Sequence, residues 1–181
     1  IKRGAVGVVS RRSYPAGEGF SSIRVDDARR ALARFSRRFH CFPDRELALA
    51  GVTGTNGKTT VSWLIRAILR ADGFPTGLLG TIEYDDGGHT QRAPLTTPEP
   101  HELSGWLAAM VRRGTTHAVV ELSSHALHQG RCDGMALGVA VITNLTQDHF
   151  DYHGNLANYT AAKAGMVGFT KALAREVGSR N

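Results

Sequence analysis

The chain has 181 residues, 41% hydrophobic and 21% charged, enough for one medium domain, or one domain and part of another. No apolar run approaches the roughly 18–20 residues that cross a bilayer, and the two cysteines, Cys41 and Cys132, make no disulfide framework. A net charge of +6 suits polyanionic ligands, but no basic stripe is interleaved with aromatics as in single-strand binders. These features argue against nucleic-acid and membrane partners, and a reducing cytoplasm is the expected compartment. The first residues, Ile1-Lys2-Arg3-Gly4, carry no leader pattern. Because the chain starts without methionine inside a strand-like run, it is expected to be a piece of a longer protein.

Residues 5–9 and 22–25 read as short strands, the second running into Asp26, a good N-cap for a helix over 27–39. Arginines 29, 30, 34, 37 and 38 are expected on its wet side, with Leu32, Phe35 and Phe39 opposite. Pro43 breaks the chain and is the candidate domain boundary. A strand over 47–52 leads into a glycine-rich turn, and a helix over 58–71 follows with Val61, Leu64, Ile65, Ile68 and Leu69 on one face. A strand is expected over 77–82, then a polar loop with a hairpin turn at Asp85-Asp86-Gly87-Gly88. A helix over 101–113 and strands over 118–122 and 139–143 come next, and 157–177 reads as a final helix. This alternation predicts an α/β fold with a mostly parallel sheet and helices on its faces.

The turn Gly54-Thr55-Asn56-Gly57-Lys58-Thr59-Thr60 has the chemistry of a phosphate loop. Backbone N–H groups of a glycine turn at a helix start form an anion site. Lys58 adds a positive charge for the outer phosphates, and the Thr59 hydroxyl suits Mg²⁺. One departure from the general pattern stands out: Val52 occupies the position where the motif has its first glycine.

With that spelling, 51–60 resembles the phosphate loop of the Mur ligases, a family also similar to folylpolyglutamate synthases. Three further segments resemble its tripeptide-synthetase branch: Leu95-Thr96-Thr97-Pro98-Glu99-Pro100; Glu121-Leu122-Ser123-Ser124-His125-Ala126-Leu127 with Gln129 and Arg131; and the run from Thr143-Asn144 through Asp148-His149-Phe150-Asp151 to Gly154. The resemblance implies an ATP-dependent ligase of cell-wall peptidoglycan synthesis, which makes an acyl phosphate for attack by an amine. It implies ATP at 54–60 and Mg²⁺ at Thr59 and Glu121. A second metal would use His149 and Lys163, the lysine carbamylated. A UDP-N-acetylmuramoyl-peptide would be held by Thr96, Thr97, Ser123, Gln129 and Arg131. Lys58, His149 and Lys163 would be the catalytic set, while His117, His125 and His128 are expected to be structural or loop residues.

On this reading 1–43 is the end of an N-terminal UDP-binding domain, 44–163 a partial ATP-binding central domain, and 164–181 a helical tail. The tail, from about 156, resembles short-chain dehydrogenases, with Tyr159 and Lys163 as a Y-x-x-x-K pair and Thr146 at the place of a catalytic serine. The T-G-x-x-x-G-x-G turn such reductases need for NADPH is missing from the chain. Three alternatives therefore stand: a ligase core that binds nucleotide, a non-catalytic chimeric domain, and an NADPH-dependent reductase. The amino acid that a parent ligase would add is not legible.

Overall fold

The computed structural model describes residues 4–15 and 19–144. His149, Lys163, Thr146, Tyr159, the expected last helix and the tail lie outside the described residues. Two short parallel strands, β1 (Gly7–Ser10) and β2 (Ser21–Arg24), precede helix α1 (Ala28–Phe39). A 3₁₀ turn (Pro43–Arg45) then leads to β3 (Ala48–Thr53), α2 (Lys58–Ala71) and β4 (Thr76–Leu79). A hairpin of β5 (Glu83–Asp85) and β6 (Thr90–Arg92) follows, then α3 (Pro100–Arg112), β7 (His117–Glu121), the short α4 (Ser124–His128) and β8 (Val139–Ile142).

Strands β3 to β8 form one sheet in the order β6-β5-β4-β7-β3-β8. β4, β7, β3 and β8 are parallel, and the hairpin pairs antiparallel, with β5 the strand that runs opposite to them. The mixed but mostly parallel sheet expected from the alternating pattern is therefore present. Its central strands are apolar on both faces, as burial beneath helices on both sides demands. Val52, Leu78 and Val119 pack with Val61 and Ile65 of α2 on one face. Leu49, Leu79, Val120 and Leu122 pack with Leu103, Leu107 and Met110 of α3 on the other.

Helix α2 keeps the expected bounds, but its buried face is turned from the one expected. Leu64 and Ile68 are exposed, whereas Ser62 and Arg66 are buried. The cause lies in the sheet: Arg66 reaches Glu83 at 2.8 Å and Asp85 at 2.9 Å, and Arg70 reaches Asp85 at 2.7 Å. These carboxylates at β5 require cations, so the helix presents its arginines there and leaves apolar side chains outside.

Helix α1 departs in the same way. Its N-cap is Asp27, one residue later than expected, which accepts from the Arg29 and Arg30 amides at 2.8 and 3.2 Å. The small residues Ala33 and Ser36 are its buried ones, while Leu32, Phe35 and Phe39 are exposed. One of its arginines faces inward, Arg37, which pairs with buried Asp44 at 2.7 Å, while the exposed Arg34 reaches Asp133 at 2.8 Å. Arg29, Arg30, Arg34 and Arg38 are exposed as expected; the departures are Arg37 and the apolar residues left outside.

Candidate functional site

The site forms at the carboxyl ends of the parallel strands, where ligand groups gather in open α/β sheets. β3 is held between β7 and β8 and delivers the chain into the turn 54–57, after which Gly57 caps α2. Val52 is fully buried within β3. The position at which the general motif has glycine is therefore a core strand position here, and the turn proper begins at Gly54. Lys58 folds back over the turn, its Nζ donating to the carbonyls of Gly54 at 2.8 Å and Thr55 at 3.0 Å. The amides of Lys58, Thr59 and Thr60 precede the first intrahelical bond, which Val61 makes to Gly57.

Glu121 ends β7 with its side chain completely buried. Its Oε2 accepts from the Thr59 hydroxyl at 3.0 Å and the Thr81 hydroxyl at 2.9 Å, and Oε1 accepts from the Thr81 amide at 3.2 Å. Gly80 makes room for it, since a Cβ there would run into Oε1. Among the described residues Glu121 has no ion-pair partner, an expensive arrangement for a buried carboxylate. Oxygen donors around one unneutralised carboxylate fit Mg²⁺, which is bound through one or two carboxylates and completes its shell with water and phosphate. No cluster of three or more histidine, cysteine or acidic residues occurs among the described residues, and a hydroxyl-and-carboxylate Mg²⁺ site needs none.

Beside these groups lies an open cleft of about 400 Å³. Gly54 and Lys58 line it from the turn, and all five residues expected at the peptide substrate, Thr96, Thr97, Ser123, Gln129 and Arg131, line it from the facing loops. Thr97 is the hub of that wall. Its hydroxyl donates to the Glu121 carbonyl at 2.8 Å and accepts from the Ser123 amide at 3.0 Å. Arg131 is already engaged: it donates to the Thr97 carbonyl and to Gln129 Oε1, both at 2.9 Å, and pairs with Glu99 at 2.9 Å. Tyr84 supports the loop from below by donating to the Leu95 carbonyl at 2.5 Å, and burial pushes its phenol up to about 12.

Some functional positions were not legible in the sequence. His125, expected to be a structural or loop residue, lines the cleft. Thr81 and Gly80 received no role, yet both shape the surroundings of Glu121. His117, expected to be a structural or loop residue, has its ring 4.6 Å from that of Phe74.

The sheet order, the helices on both faces and the cleft at the strand ends define a three-layer α/β domain. Within that class the chain belongs to the Mur ligase family: the family model for the Mur ligase middle domain matches residues 52–174. The match continues beyond Lys163 into the segment that was expected to resemble a reductase. The chain is 44% identical over 174 residues to a UDP-N-acetylmuramoyl-L-alanyl-D-glutamate--2,6-diaminopimelate ligase of Geobacter metallireducens, covering 96% of this chain and 34% of that protein. It is 45% identical over 163 residues to the ligase of the same name from Solibacter usitatus, covering 90% and 33%. A solved structure of a ligase with this name superposes with a TM-score of 0.74 at 30% identity, over 90% of this chain and 33% of that one. A folylpolyglutamate synthase of Mycobacterium tuberculosis superposes with a TM-score of 0.58 at 21% identity, over 76% and 38%, and shares the fold. The chain spans about one third of the length of the curated relatives it matches. Among the described residues, no helix is long and apolar enough to cross a membrane.

Proposed function

We propose that this chain is the Mg-ATP-binding core of a cytoplasmic ligase of peptidoglycan precursor synthesis. The ligase would join 2,6-diaminopimelate, the amino acid in its relatives' names, to a UDP-N-acetylmuramoyl-dipeptide. One observation carries the reading: Lys58 of the turn and the five expected substrate residues line a single cleft, with Glu121 buried alongside.

In this reading Lys58 turns from the loop carbonyls to the outer phosphates, where its ammonium offsets their charge. Thr59 and Glu121 hold the Mg²⁺, which neutralises charge during phosphoryl transfer when bound. Thr97 and Ser123 fix the wall that orients the muramoyl-peptide, and Arg131, held by Glu99, supplies a positive edge for its anionic groups. The second metal position at His149 and Lys163 remains part of the proposal. A ligase that must close several domains cannot assemble its full transition-state site from a third of its length. The chain by itself is therefore expected to bind nucleotide and not to ligate.

Thermal unfolding with and without Mg-ATP tests the reading. Ligand at about 100 times its Kd adds roughly 2.7 kcal/mol of stability, and Lys58→Ala should abolish that gain. A cooperative transition that does not move with nucleotide would favour the non-catalytic domain, and peptide ligation above a Lys58→Ala control would refute the expected lack of turnover.

A further inference from the structure

The phosphate turn is fastened to the end of β8 by two residues for which the motif reading gave no role. β3 and β8 pair in parallel up to Thr53 and Ile142, and the Thr143 amide extends the ladder by donating to the Thr53 carbonyl at 2.9 Å. Beyond that point the turn leaves the sheet, and side chains replace the backbone ladder. Asn144 Oδ1 accepts from the amides of both Thr55 and Asn56, at 3.1 and 3.0 Å. Its Nδ2 donates to the Asn56 carbonyl at 3.0 Å, and the Thr143 hydroxyl donates to the same carbonyl at 2.6 Å. Asn56 thus has its amide and its carbonyl both bound by the two residues that follow β8.

This arrangement also explains a glycine. Gly54 has φ of +147°, and a Cβ there would run into the Thr143 hydroxyl. The close approach of Thr143 and the glycine at 54 are therefore two halves of one contact.

We infer that Thr143 and Asn144 are positioning residues for the phosphate site, fixing the turn so that the amides at the start of α2 and the Lys58 ammonium meet a nucleotide's phosphates without reorganisation. The inference rests on the nucleotide-binding reading above and extends it to residues outside the loop. The physical basis is preorganisation: a donor array held in place before binding loses less entropy when the anion arrives. With two amides turned inward to Asn144, the ligand-facing donors are those that follow, at the entry to α2. Asparagine suits the role because one side chain must both accept and donate, which a carboxylate cannot do.

Two readouts on the 181-residue chain test this: the Kd for Mg-ATP by calorimetry, and amide hydrogen exchange read by NMR. Asn144→Ala should weaken Mg-ATP binding about tenfold, equivalent to about 1.4 kcal/mol. Exchange should accelerate at the Thr55 and Asn56 amides while β3 and the middle of α2 keep their protection. Thr143→Val should give a smaller loss in the same direction, and Thr143→Ser, which retains the hydroxyl, should restore affinity. If Asn144→Ala does not fold, the Thr143 pair decides alone. Faster exchange at Thr55 and Asn56 with unchanged affinity would overturn the inference while leaving the nucleotide-binding reading intact. Loss of protection throughout the chain would mean that Asn144 serves stability only, which also overturns it. A wild-type chain that binds no nucleotide would overturn both.

Discussion

The Thr59 hydroxyl, in the first turn of α2, lies 3.0 Å from Glu121 Oε2 at the end of β7. Sixty-two residues separate the two in sequence, and the parallel pairing of β3 with β7 brings them together. Glu121 is fully buried here and is met by hydroxyls and one amide. Such a carboxylate is destabilising for the isolated fold and useful only when a cation joins it. Glu121→Gln preserves the shape and removes the charge. It should leave the melting temperature equal or slightly higher, while the Mg²⁺-dependent part of ATP affinity falls by about tenfold or more. Calorimetry with and without EDTA measures this. Unchanged Mg²⁺ dependence would remove Glu121 from the metal site.

Gly80 gives an independent handle on the same carboxylate. A methyl group at that position meets Glu121 Oε1, Cδ and Cγ, the buried part of the side chain. Gly80→Ala should push the carboxylate from its hydroxyl partners, costing about 1–3 kcal/mol of stability through overpacking and weakening Mg-ATP. The double variant Gly80→Ala/Glu121→Ala has space for the methyl group and should recover much of the stability without recovering Mg²⁺-dependent binding. Denaturant titration of the four proteins of this cycle checks it, and additive losses would show that the two residues do not touch.

Much of this geometry was legible in the sequence where local signals were strong. α2 was expected at its observed bounds because Gly57 and the Asp72-Gly73 pair punctuate a helical pattern. The glycine turn after β3, the hairpin and the strand carrying Glu121 follow from the same kind of signal. What escaped was set by contacts across elements. Thr81 reaches Glu121 only because β4 and β7 are neighbours. Leu64 and Ile68 lie on the outside because Arg66 must reach Asp85, a pairing that helical periodicity cannot anticipate. Thr143 and Asn144 stand within a recognisable motif, but their partners at Thr55 and Asn56 are 87 to 89 positions away.

Tyr84 makes the support of the cleft wall pH-dependent. Its phenol is almost completely buried and donates to the Leu95 carbonyl, one residue before Thr96. Burial raises its folded-state pKa from 10.0 to about 12. The unfolded chain loses this proton near pH 10 while the folded chain keeps it. The stability contributed by the neutral phenol is therefore complete below pH 10 and is lost as pH rises from 10 towards 12. Wild type should lose stability on the order of 1–2 kcal/mol more than Tyr84→Phe over that interval. Parallel urea melts of the two proteins at pH 9 and pH 11.5 test this, and equal losses would place the phenol in contact with water.

A buried ion pair ties α1 to the rest of the fold. Asp44, 1% exposed, accepts from Arg37 Nε at 3.1 Å and Nη2 at 2.7 Å, and from the Ala136 amide at 2.8 Å. The pair spans the break at Pro43, tying the last turn of α1 to the segment that precedes β8. Removing one partner leaves a guanidinium whose side chain is only 12% exposed without its counter-ion, a loss of about 3–5 kcal/mol. Asp44→Ala should therefore be severely destabilising, more so than Arg34→Ala, whose arginine is 69% exposed and whose bond to Asp133 is worth about 0–1 kcal/mol. Arg37→Met/Asp44→Leu, which removes both charges and fills the space, should recover most of the loss, because the desolvation of two ions disappears with them. Urea denaturation of the two single variants and the double variant checks the order. A double variant no more stable than Asp44→Ala would show that the Ala136 amide, left without an acceptor in both, carries the cost instead of the unpaired arginine.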